Sequence, residues 1–224
     1  MSTLNGGPGV VLNGLVLNLD AANTKSYISG STAWTDISRS GFNGTLTNGP
    51  TFNADSGGNI VFDGVDDFVQ CLGSLTVTAA TFISWIRRNG SQGTYDGILV
   101  SRGTNVTGMF FYTSDQLGYV WNNAVNTYTW NSGLTIPDLT WCMVALSVTS
   151  TAATAYLGQR SGITSATNTV SHGSSVLNDI KLAQDDAGGR FFNGNIGIAQ
   201  MYDRALSATE VTQNFNATKG RFGL

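Results

Sequence analysis

From residue 10 to residue 206 the chain is a succession of short stretches with apolar side chains at every second position, broken by Gly, Asn, Asp and Ser every eight to twelve residues. The clearest are 10–19, 59–64, 67–72, 81–88, 97–102, 109–114, 117–121, 140–148, 153–158, 179–184 and 192–206. A period of two sends successive side chains to opposite faces of a strand and cannot sustain an amphipathic helix. In 81–88, Phe82, Ser84 and Ile86 share one face while Ile83 and Trp85 share the other. Both faces are substantially apolar, as in a strand buried between two layers. About eleven to fourteen such strands joined by hairpin turns predict an all-β sandwich or barrel.

Charge removes several partner classes. Only 11% of the 224 residues are charged, with 11 Lys+Arg against 14 Asp+Glu, and polarity comes instead from Asn, Thr, Ser and 28 Gly. A nucleic-acid surface needs clustered Lys and Arg to displace counterions, and no basic run is present. The one adjacent basic pair, Arg87-Arg88, closes a strand and reads as a solvated strand end. No stretch approaches the ~18 apolar residues of a membrane helix. The first residues, MSTLNGGPGVVLNG, lack the basic and apolar regions of a signal peptide, so synthesis in a cytoplasm is expected. No composition shift marks a second domain, giving one domain over 10–224 preceded by a polar, Gly-rich arm over 1–9. That arm reads either as a frayed terminus or as an element that docks onto a neighbouring subunit.

One segment leaves the strand pattern. Ser207-Ala-Thr-Glu210 is a capping box, Val211, Phe215 and Thr218 follow at helical spacing, and Gly220 ends the run, which predicts a short helix over 208–218. Glu210 is the only Glu in the chain, and the cap accounts for it. Cys71 and Cys142 each sit inside an alternating stretch and read as buried free thiols, with no zinc-ligand spacing around them.

The order of motifs adds a resemblance. GLVLNLDAANTKSY (14–27), WTDIS (34–38), NGTL (43–46) and FDGVDDFV (62–69) are followed by TFISW (81–85) and by Trp141 before a buried strand. Tyr156-Leu-Gly158 stands where relatives have a Tyr-x-Asn-Gly hairpin turn, and the run closes with FFNGNIGIAQMYDRALSATE (191–210) and NFNATKGRFG (214–223). Over nearly its whole length the chain resembles concanavalin A-like, laminin-G-like sandwich domains, in a variant similar to those of bacteriophage virion proteins. The resemblance implies a jelly-roll of two antiparallel sheets in which the first and last strands pair, here Val11–Leu19 with Ile196–Tyr202.

The same match sorts the aromatics. Trp34, Trp85 and Trp141 fall on motif positions and are expected to pack the sandwich. Trp121 and Trp130 do not. They lie in VWNNAVNTYTWN (120–131), where Trp121, Asn122, Asn123, Asn126, Tyr128 and Trp130 make a candidate glycan-binding set. Flat rings stack on pyranose faces, and Asn side chains both donate to and accept from hydroxyls. The competing reading is a hairpin whose rings pack on the sheet or on a neighbour.

Many laminin-G relatives hold calcium at the sandwich rim. The resemblance makes Asp185 and Asp186 the local candidates, against a reading of them as solvated turn acids. Asp63, Asp66 and Asp67 read as caps of backbone amides around an Asp63-Gly64 turn. Glycosidases on this fold use two carboxylates at a defined separation. The glucanase motif Glu-x-Asp-x-x-Glu cannot occur with one Glu, and Asp66-Asp67 and Asp185-Asp186 are sequence neighbours whose side chains diverge on a strand. His172 lies in a VSHGSS loop and reads as a turn residue, so no catalytic activity is expected and no cofactor beyond a candidate calcium. The sequence reading is therefore a non-enzymatic phage virion surface protein, as capsid decoration or fibre or tail component, that contacts other virion proteins and copies of itself. Its alternative is a carbohydrate-binding module that attaches to host surface polysaccharide.

Overall fold

The computed structural model describes residues 9–185 and 188–224. Two antiparallel sheets face each other. The first runs, edge to edge, through Gly162–Asn168, Ala153–Gln159, Cys142–Val148, Ala80–Arg88, Asn193–Tyr202, Asn59–Asp63 and Thr51–Asn53. The second runs through Gln116–Val120, Thr107–Tyr112, Gly97–Ser101, Ser175–Leu182, Phe68–Val77, Gly44–Thr47 and Ala33–Trp34. A two-stranded ribbon, Gln184–Asp185 with Arg190–Phe191, stands beside them. Chain start pairs with chain end: Leu15–Asp20 lies antiparallel to Asn193–Tyr202, from Leu15 opposite Tyr202 to Asp20 opposite Ile198. The junction is braced upstream, where the Val11 amide donates to Asn214 Oδ1 at 2.8 Å and the Tyr202 hydroxyl donates to the Val11 carbonyl at 3.0 Å.

The two faces of the central strand Ala80–Arg88 serve two cores. Phe82 and Ile86 enter the inter-sheet core with Leu17, Trp34, Phe62, Cys71, Phe111 and Cys142. Ile83 and Trp85 face outward, under Val211, Phe215 and Phe222 of the C-terminal segment. Trp85 stacks on Phe222 at 4.3 Å and on Phe215 at 5.7 Å between ring centroids. The helix Ala208–Thr218 that carries this cover starts with both bonds of the capping box, Ser207 and Glu210 each capping the other's amide. Both cysteines are buried free thiols. No helix among the described residues is long and apolar enough to cross a membrane.

Several details differ from the sequence reading: Arg88, read as a solvated strand end, is buried, with its guanidinium 3.5 Å from both Asp115 and Asp138. The hairpin turn expected at Tyr156-Leu-Gly158 falls later: the strand continues to Gln159, which pairs with Gly162 across Arg160-Ser161. Gly158 has another purpose, since a Cβ there would lie 2.7 Å from Phe215 Cδ2, so the glycine lets the helix settle on the sheet. Trp141 is only partly buried, packed against Phe222 at 4.8 Å with its ring lining a surface groove of about 460 Å³. The short edge strands Thr51–Asn53 and Gly162–Asn168 were not predicted, because strands with much exposed surface carry little apolar alternation.

Candidate functional site

The outer faces of the two sheets are not equivalent. The first is covered by the C-terminal helix. On the second, cross-strand register aligns Val120, Gly108, Val100, Lys181, Gln70 and Thr45 in one row. A neighbouring row is Gly118, Phe110 and Gly97. The glycines shape this surface. At Gly118 a Cβ would sit 2.4 Å from the Phe110 ring, so only glycine lets that ring lie across the neighbouring strand. At Gly97 a Cβ would sit 2.2 Å from the Gln184 carbonyl carbon, so its absence lets the ribbon cross close over the sheet and carry Asp185 to its edge.

A cleft of about 250 Å³ results, with Phe110, Val106 and Val120 as apolar lining and Tyr95, Tyr128, Asn123, Arg102, Arg190 and Asp185 around them. Tyr95 is its centre. The ring meets Phe110 edge-on at 5.1 Å, Tyr112 at 6.2 Å and Tyr128 at 6.3 Å, and the Arg190 guanidinium lies over it at 4.7 Å. Its backbone has φ +75°, a conformation that bulky residues rarely adopt and that concentrates at functional positions. Among the described residues no hydrogen bond engages the hydroxyls of Tyr95, Tyr112 or Tyr128, all of which are partly exposed. Asp185 is buried between cations, 2.9 Å from Arg102 Nε and accepting from Arg190 Nη1 at 3.1 Å. Behind Tyr95, Asp96 accepts the Gly93 amide, and burial pushes its carboxyl up to about 6 against the opposing pull of that bond and of Arg190.

The structure divides the residues singled out in the sequence. Tyr128 and Asn123 line the cleft. Trp121 does not. It is 1% exposed, its Nε1 donates to the Gly173 carbonyl at 2.7 Å, and its ring belongs to the inter-sheet core with Leu117 and Tyr119. Trp130 is half-buried against the same core, edge-on to Tyr119 at 5.6 Å. Asn122 and Asn123 both have positive φ, at 52° and 55°, so their residue type answers a backbone need at this turn. Asn122 Nδ2 also donates to the Ser174 carbonyl at 2.8 Å. Asn126 is exposed, and its carbonyl accepts from Asn168 at 2.9 Å. His172 is a buried loop residue whose Nε2 lies 3.1 Å from the Tyr119 hydroxyl.

Asp185 is committed to cations and is not open to calcium. The two oxygens of Asp185 each lie against a guanidinium, which a divalent cation would have to displace, and Asp186 lies outside the described residues. The Asp63, Asp66 and Asp67 carboxylates approach within 4.8 Å of one another. Two of them also serve the backbone as expected, each through one oxygen: Asp63 Oδ1 accepts the Val65 amide at 2.8 Å and Asp67 Oδ2 accepts the Asp63 amide at 3.1 Å. The cleft residues that sequence reasoning missed include Tyr95, Arg102, Phe110 and Arg190, with Tyr112 packed against Tyr95 beside them. They come from separate loops and strands, and only Phe110 and Tyr112, two apart in one alternating stretch, carried a local signal of sharing a face.

Comparisons with known proteins agree with this architecture. Domain 4 of AbnA, a GH43 extracellular arabinanase from Geobacillus stearothermophilus, solved with arabinotriose, superposes with a TM-score of 0.66 at 17% identity over 89% of this chain and 97% of that one. Trypanosoma rangeli sialidase with 2,3-difluorosialic acid gives 0.66 at 16% identity over 98% of this chain, which spans only 35% of the sialidase. The binding domain of botulinum neurotoxin serotype G gives 0.61 at 14% identity, over 88% of this chain and 50% of that one. These likenesses show the fold. Among curated proteins no sequence matches the chain. The Laminin_G_3 family, described as the concanavalin A-like lectin/glucanases superfamily, matches residues 63–212, and with two facing antiparallel sheets closed by first-to-last strand pairing the chain belongs to that superfamily.

Proposed function

We propose that the protein is a non-catalytic glycan-binding module whose site is the cleft on the outer face of the second sheet. The observation that carries this reading is the cluster of Tyr95, Tyr112 and Tyr128 over Phe110, whose rings are held by one another while their hydroxyls engage no described residue. Amphipathic rings of this kind offer a face for a pyranose and a polar edge for its hydroxyls. Arg102, Arg190 and Asn123 supply directional donors beside them. That domain 4 of the arabinanase was solved with arabinotriose supports the reading at the level of fold.

Catalysis is disfavoured by the same geometry. Glycoside hydrolysis needs a protonated acid and a second carboxylate in one cleft. Among the described residues a single carboxylate, Asp185, lines the cavity, clamped by two arginines, and Asp96 is not among the lining groups. From the motif resemblance we further propose that the module belongs to the surface of a bacteriophage particle, made in the host cytoplasm and packed against other virion proteins. In that setting the cleft would serve attachment to host surface polysaccharide. The test is a broad oligosaccharide array probed with the full chain, followed by incubation of any bound oligosaccharide with excess protein. Binding without release of shorter sugars is expected. Binding to no saccharide would refute the module, and cleavage of a bound one would refute its non-catalytic character.

A further inference from the structure

The geometry points to an acidic saccharide, one bearing a carboxylate or a sulfate ester, as the ligand of this cleft, held by Arg102 and Arg190. This rests on the glycan-binding reading and narrows it. The chain as a whole carries an acid excess of three, 14 Asp+Glu against 11 Lys+Arg. Among the described residues the cavity reverses that sign: two guanidiniums line it against one carboxylate.

The donors outnumber what the described residues accept. A guanidinium has five N–H donors in a rigid fork. The Arg102 side chain is only 16% exposed, yet among the described residues its guanidinium has one ion-pair contact, from Nε to Asp185. Its two terminal amino groups have no acceptor among those residues. Arg190 spends Nη1 on Asp185 and lays its plane on Tyr95, leaving Nε and Nη2 in the same position. These donors line the cleft, and an oxyanion supplies two or three acceptors at the spacing the fork presents. A neutral sugar offers hydroxyls that both donate and accept, and so matches a one-signed donor set less well than an anionic group does.

The charge nearby is adjustable. Asp96 faces Arg190 and Asp185, and its carboxyl, pushed up to about 6 by burial, takes a proton between pH 8 and pH 5. An acidic ligand with an ordinary carboxyl pKa, about 3.5, stays ionised over that span. Loss of the Asp96 charge then strengthens its attraction to Arg190.

The experiment pairs each acidic probe with its neutral counterpart, using the full chain and calorimetric titration. The pairs are sialyllactose with lactose, an oligogalacturonate with its carboxyl-reduced form, and a sulfated oligosaccharide with its desulfated form. The expected result is that the acidic member of the sialyl, uronate or sulfate pair binds about tenfold or more tightly than its neutral partner, the pair that responds distinguishing carboxylate from sulfate. Binding of the acidic member should tighten about 3- to 5-fold from pH 8 to pH 5, the scale of one exposed charge contact. Arg190→Gln, at a side chain one third exposed, should weaken the acidic member about 10- to 100-fold and the neutral one by a smaller factor, so that the preference for the acidic member narrows. Arg102→Lys, which keeps the charge and loses the fork, should weaken the acidic member about 10-fold and gives a second reading should Arg190→Gln fail to fold. Equal binding of neutral and acidic members would overturn the inference and leave the glycan-binding module standing. Binding of neither would overturn both.

Discussion

Replacing Tyr128 and Trp121 separately by alanine distinguishes a ligand-facing ring from a core ring seven residues away. Trp121 is 1% exposed, packs in the inter-sheet core and donates its indole N–H to Gly173. Truncating it opens a cavity worth about 3–5 kcal/mol. At roughly 2–4 °C per kcal/mol for a chain of this size, the melting temperature should fall by about 6–20 °C. Tyr128 is partly exposed, meets Tyr95 edge-on at 6.3 Å and belongs to neither core cluster. Losing that one aromatic pair costs about 0.5–1.5 kcal/mol. If stacking on a sugar resembles stacking on a nucleobase, the same change removes about 1–3 kcal/mol of binding, or about 5- to 150-fold in Kd. Differential scanning calorimetry and titration with the tightest-binding oligosaccharide read the two effects independently. The reasoning fails if Tyr128→Ala binds like the parent protein, or if Trp121→Ala keeps the parental melting temperature and loses only binding.

Other predictions concern the frame. The Glu210 carboxyl is held down to about 2, first by its bond to Arg204 and then by the Ser207 amide, from an ordinary value of 4.5. A depressed acid stabilises above its unfolded pKa and loses that contribution as pH falls through the folded one. Glu210→Gln should therefore lower stability by about 1 kcal/mol at pH 7, with the difference shrinking below about pH 4.5, as thermal melts across pH would record. Gly158→Val places a branched side chain against Phe215, so it should cost about 1–3 kcal/mol and raise hydrogen exchange in the helix Ala208–Thr218; unchanged exchange would refute the packing role given to the glycine. Burial pushes the Cys71 and Cys142 thiols up to about 12, so the native protein should resist alkylation and the unfolded protein, without reductant, should show both free. An intact mass lighter by two hydrogens would contradict this.

Most of the frame was legible because it is local. Alternation exposed the two apolar faces of 81–88, and four residues spelled the capping box of the final helix. The alternation of Leu117, Tyr119 and Trp121 also carried the answer for Trp121: a period of two puts it on the same face as two core residues, and composition of the surrounding Asn-rich stretch concealed that. The cleft was not legible, because it is assembled by register. Phe110 meets Gly118 across one ladder and Gly97 across another, and Gly97 in turn admits the ribbon that brings Asp185 to Arg102. Tyr95 reaches the same place through a strained loop conformation that no pattern in its neighbours announces.

A crystal structure of the full chain with the tightest-binding oligosaccharide tests the central claim most directly. The account predicts a sugar ring against Tyr95 and Tyr128, with Arg102 and Arg190 within hydrogen-bond distance of its polar groups. A saccharide bound instead in the groove beside Trp141, or at the Asp63–Asp67 turn, with the Tyr95 cleft unchanged, would contradict it.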